Sequence, residues 1–220
     1  VDKWLMWTTE SARPALGGLM LNPLYDAASF LGLMTLVPAM VTMLVTVETG
    51  FHTAHRRMMA GAVHHATWQR LDADRGAVHR ALVQAARTLV VVQLVVAWTV
   101  WFPAPLILDG LHIDLRQLWV FRFIVVGALF HAVVLLAATV LSYYDLRREG
   151  VMLAAIFFLG NLAGTLIGIA VGDSLWGWGY LVGALAAACY GVATLSLATG
   201  DLLYLVFVRN NPAVIGDGGR

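Results

Sequence analysis

Five long apolar stretches separated by short polar joints dominate this chain, at 27–47, 88–108, 118–142, 151–171 and 177–198. Each reaches the ~20 residues that a helix rising 1.5 Å per residue needs to cross a ~30 Å hydrocarbon core. Backbone amides in lipid are satisfied only within their own segment, so each stretch is predicted as a transmembrane helix. A soluble chain of this length would interleave its apolar positions with charge at a period of 3.6. The fold class expected is therefore all-α, a polytopic membrane helix bundle. Residues 1–220 read as a single membrane domain, with 199–220 as a tail.

The stretch 48–87 is the one sizeable polar interruption. Asp72-Ala73-Asp74-Arg75-Gly76 is expected to divide it into two helical arms, Asp74 capping the second. In that second arm Val78, Leu82, Ala85 and Leu89 share one face, and Arg80, Gln84 and Arg87 another, the mark of an amphipathic helix.

Composition agrees: 60% of residues are apolar and 12% charged, about half the usual globular share of charge. No basic domain outside the spans exists to bind nucleic acid. The lone Cys189 lies in the fifth stretch, so neither a disulfide framework nor a zinc pattern is expected. The net charge of +1 says little, but its placement says more. Arg56, Arg57, Arg70, Arg75, Arg80 and Arg87 follow the first span, Arg147 and Arg148 the third, and Arg209 and Arg220 the fifth. The alternate joints hold only Lys3 and Arg13, then Arg116 with Asp109 and Asp114, then Asp173. The positive-inside rule places 48–87, the Arg147–Arg148 joint and the C-terminus in the cytoplasm, and the N-terminus outside. Val1-Asp2-Lys3-Trp4-Leu5-Met6-Trp7 reads as the end of a preceding membrane helix, so the chain is expected to be the C-terminal part of a longer protein; the alternative is a five-span protein with a trimmed start.

Gly160, Gly164, Gly168 and Gly172 recur every fourth residue of the fourth span, as do Gly179, Gly183, Ala187 and Gly191 in the fifth. Small residues at this spacing let membrane helices approach closely, and the short joint between the spans makes them an antiparallel pair. Trp176, Trp178 and Tyr180 read as an interfacial aromatic belt.

Polar groups inside the spans are the candidate cavity-lining residues. Thr35, Thr42 and Thr46 stand near one face of the first span with Pro38, which is expected to bend the helix. Such a stripe either lines water or satisfies neighbouring carbonyls. Arg122 lies about one turn inside the third span and can snorkel outward. His131 lies near the middle, where an ionisable group meets either another helix or a cavity; Gly127 and Ala138 share its face. Asn161 and Thr165, one turn apart beside the glycine stripe, either bond between helices or line a cavity. No nucleophile–base pair or paired carboxylates lie at depth, so an enzyme is not expected. Haem would want paired histidines on facing spans, and adjacent His64 and His65 point apart on a helix, so neither cofactor nor metal is expected.

Val47-Glu48-Thr49-Gly50-Phe51 leading into His55-Arg56-Arg57 resembles the helix end and basic arm of the PelG family, the membrane transporters of Pel-type exopolysaccharide systems. Asp2-Lys3-Trp4, Asn22-Pro23-Leu24-Tyr25-Asp26, Tyr143-Tyr144-Asp145-Leu146-Arg147-Arg148-Glu149 and Gly177-Trp178-Gly179-Tyr180-Leu181 resemble the same family, in order, from the first residue to about Tyr204. The chain departs from it in the arm, where histidines and methionines stand in place of tyrosines and phenylalanines. The resemblance implies the second half of a transporter of about twelve spans in two bundles, related to the flippase and multidrug-exporter superfamily. It implies export of a polysaccharide across the bacterial inner membrane, beside a cytosolic glycosyltransferase and small membrane subunits. The near-absence of deep carboxylates argues against a cationic drug as cargo. The alternatives are a lipid-linked oligosaccharide flippase, which would want several cations in its cavity, and a non-transporting scaffold holding the glycosyltransferase through 48–87.

Overall fold

The computed structural model describes residues 1–64 and 66–200. His65 and the residues beyond 200, with Arg209, Arg220 and nearly all of the expected tail, lie outside the described residues.

The first apolar run folds as a broken helix. It comprises α2 (Asp26–Met34), α3 (Val37–Thr46), a π-helical turn (Val47–Phe51) and α4 (His52–Val63). Pro38 brings no N–H and sits in the first turn of α3, so the helix is interrupted at Thr35 and Leu36. A short helix, α1 (Asp2–Met6), and a two-stranded hairpin, β1 (Arg13–Pro14) with β2 (Met20–Leu21), precede it. Asn22 ties these to α2. Its buried amide nitrogen stands within hydrogen-bond reach of Met6 O at 3.1 Å, Thr9 Oγ1 at 3.0 Å and Ser11 Oγ at 2.9 Å, and its two N–H groups are shared among them. Its neighbours join in: Tyr25 Oη donates to Asp2 at 2.5 Å and Trp7 Nε1 to Asp26 at 3.0 Å. Burial first, and then the Asp2 carboxylate, push the Tyr25 hydroxyl well above the usual phenol range.

The second long helix, α5 (Trp68–Trp101), differs from expectation at both ends. The first arm ends at Val63 and the second begins at Trp68, and 72–76 is continuous helix. Asp74 is not a cap: it is buried and takes the Arg57 guanidinium of α4 at 3.0 Å, while its second oxygen has no partner among the described residues. Helix–helix packing here outweighs the local capping preference. At its far end α5 stops at Trp101, short of 108, because Pro103 has no N–H to continue the ladder; a short α6 (Ala104–Gly110) follows. Arg57→Ala leaves a buried carboxylate without its partner, so it is expected to destabilise the protein by about 1–3 kcal/mol. Thermal unfolding in detergent measures this, and Arg57→Lys should recover most of it.

Three long helices complete the bundle: α7 (Leu118–Tyr143), α8 (Arg147–Val171) and α9 (Trp178–Gly200). Together with the runs Asp26–Val63 and Trp68–Trp101, they make five helical segments, among the described residues, long and apolar enough to cross a membrane. The glycine faces of α8 and α9 meet. A Cβ on Gly160 would stand 2.8 Å from the Cα of Gly183, and one on Gly164 would stand 2.6 Å from that of Gly179. Gly168 faces the Leu175 carbonyl, Gly191 faces Ala137 of α7, and Ala187 is fully buried. Gly172 takes no part in this contact; at φ 128° it turns the chain at the end of α8.

One end of the bundle is strongly basic. Phe51 and His55 pack on Tyr143 and Tyr144, and Arg75 donates to the Gly200 carbonyl at 3.1 Å, which gathers α4, the start of α5, the α7–α8 turn and the end of α9. Arg56, Arg57, Arg70, Arg75, Arg147 and Arg148 lie on these elements. At the opposite end Gln117 donates to Pro23 O and accepts from the Ala28 amide, closing α7 onto α2.

Candidate functional site

Midway along α7, His131 turns toward α9, where its Nδ1 and the Tyr180 hydroxyl lie 2.7 Å apart. The sequence permits this because Gly127 stands one turn earlier. A Cβ there would sit 2.6 Å from Cε1 of Tyr180, so only glycine leaves room for the ring. From α8, Phe157 packs against both, its ring centroid 4.8 Å from that of His131 and 5.9 Å from that of Tyr180. Asn161 follows one turn on, buried, and accepts from Thr165 Oγ1 at 3.1 Å.

His131, Asn161, Tyr180 and Phe157 border a pocket of ≈ 460 Å³, with Asp2, Lys3 and Trp4 of α1, Leu33 of α2 and Phe158 completing its rim. Imidazole, phenol and amide give donors and acceptors, and the rings of Trp4, Phe157 and Phe158 give flat apolar surface. A few convergent polar groups on an aromatic wall suit a polyhydroxylated ligand such as a sugar unit.

The other expected lining residues stand elsewhere. Thr165 lies beneath the pocket, buried against Gly179. The hydroxyl of Thr35 donates to Gly32 O at 2.6 Å, that of Thr42 to Pro38 O at 2.8 Å and that of Thr46 to Thr42 O at 2.8 Å. Thr35 is buried, Pro38 exposed, and Thr42 and Thr46 half-buried between the packed and open faces of α3. Arg122 faces another groove, its guanidinium over the rings of Trp101 and Trp119.

Tyr180 is the residue that sequence reasoning misplaced. It is not part of an interfacial belt: only 4% of it is exposed, and it reaches into the bundle, while Trp176 is also buried and Trp178 packs on Phe123. Its signal was the glycine one turn before His131, a vacancy of ring size on the histidine's own face. His52 and His55 pack around Tyr143, and among the described residues no three His, Cys, Asp or Glu side chains gather as metal ligands would.

The family model PelG, described as an exopolysaccharide exporter (EPS-E), matches residues 1–207. No curated protein and no solved structure matches the chain.

Proposed function

The chain belongs to the PelG family of exopolysaccharide exporters, and from that premise we propose that it carries a Pel-type polysaccharide across the bacterial inner membrane by alternating access of two helix bundles. The observation that carries the reading is the hydrogen-bonded His131–Tyr180 pair opening, with Asn161, on a pocket of the helix bundle. Polar side chains at membrane depth are costly against lipid and favourable against water or a sugar. The α2–α3 break before Pro38 gives the first span a joint about which α2, whose Leu33 borders the pocket, moves. Cargo export is tested by comparing polymer outside cells with polymer retained inside them. Export unchanged when the protein is removed would end the reading.

The basic end faces the cytoplasm, where it meets a glycosyltransferase and small membrane subunits of the same system, and the N-terminus of this chain lies outside. Cysteine labelling in intact cells tests the orientation, with Cys189 replaced by alanine. Arg70→Cys should be silent to an impermeant thiol reagent added outside, and Ser11→Cys should react. Labelling at position 70 alone would invert the topology.

A further inference from the structure

On the side of α7 away from His131 lies a second concavity, and its chemistry is different. Leu94, Ala97, Trp98 and Trp101 of α5 face Val126 and Leu129 of α7 across an apolar groove of ≈ 300 Å³. Arg122 stands one turn from Val126 on the same face of α7, at the end of the bundle opposite the basic one. Its guanidinium lies 5.2 Å from the centre of the Trp101 ring and 5.6 Å from that of Trp119. No carboxylate pairs with it among the described residues, and its buried Nε has no hydrogen-bond partner there. A guanidinium within a membrane bundle without an anion is incomplete.

We propose that this groove binds one phospholipid, its phosphate on Arg122 and an acyl chain between α5 and α7. Three features select that occupant. From Arg122 to Leu129 the groove runs about 10 Å at 1.5 Å per residue, which fits within the ~15 Å of one leaflet in a ~30 Å core. Its walls are apolar and aromatic, and Trp98 on its wall and Trp119 beside Arg122 are exposed, as tryptophans that meet lipid are. The cation sits at the end nearer the membrane surface, where a headgroup phosphate takes a guanidinium through paired N–H donors.

The test uses the complete protein, exchanged from vesicles of mixed phosphatidylglycerol and phosphatidylcholine into mild detergent and weighed intact by native mass spectrometry. Wild type should retain one phospholipid. Arg122→Gln should weaken retention about tenfold, the loss of one charge-assisted contact. Ala97→Leu, which fills the groove and keeps the cation, should weaken it comparably, and Leu106→Ala, exposed outside the groove, should leave it unchanged. Retention of either lipid supports the site, because the phosphate is common to both. Equal retention in all four proteins overturns it, as does binding of inorganic phosphate alone at Arg122 or a polypeptide held in the groove in place of lipid.

Discussion

Gly179→Leu is expected to abolish accumulation of the folded protein. A Cβ at this position would fall on the backbone nitrogen and hydroxyl of Thr165 and within 2.7 Å of the Asn161 carbonyl. No side-chain rotamer relieves a clash made by the Cβ itself against backbone, so α8 and α9 must separate. Membrane helices gain packing energy from close approach rather than from a hydrophobic drive, so the loss is not recovered elsewhere. The cost exceeds the ~3 kcal/mol of ordinary overpacking. Gly164→Leu and Gly183→Leu should behave alike. Gly150→Leu, where an added Cβ meets nothing, and Leu166→Phe, on an exposed face, should accumulate normally. Fluorescence-detected size exclusion reads the outcome; equal yield of all five proteins would show the glycine contact to be incidental.

His131→Leu should lower polymer export by on the order of tenfold, the loss of one or two hydrogen bonds to the moving sugar at about 1 kcal/mol each. The variant also strands the buried Tyr180 hydroxyl, which by itself costs about 1–3 kcal/mol of stability. A second substitution separates the two effects. His131→Leu with Tyr180→Phe removes both partners, so thermal stability in detergent should recover while export stays low. Recovery of export in the double variant would make the pair a packing feature. Secreted and retained polymer, each normalised to protein abundance, decide between them.

The helices were legible because lipid imposes one rule on backbone polarity and length, and the glycine stripes because their spacing is the contact. What escaped was tertiary. Asp74 looked like a cap by its neighbours, but its place is set by Arg57, a residue on another helix. Gly172 continued the four-residue spacing of the stripe, yet the turn claimed it. His131 was visible as a costly residue at depth, and so was the vacancy at Gly127. The ring that fills it comes from α9, across 49 positions, and no local pattern announces such a partner. The threonines of α3 were identifiable as a stripe, but where each hydroxyl donates depends on the carbonyls that Pro38 and the bend leave open.

The central claim is that cargo passes along the His131–Asn161 pocket, and blocking that pocket tests it most directly. Phe158 stands on the pocket rim and is half exposed, whereas Leu166 is equally exposed but lies outside the pocket. In the complete protein with its other cysteines replaced, Phe158→Cys and Leu166→Cys are each treated with a bulky membrane-permeant thiol reagent in cells making polymer. Modification at 158 should stop export and trap polymer inside, while modification at 166 should leave export intact. Full export with position 158 quantitatively modified would contradict the account.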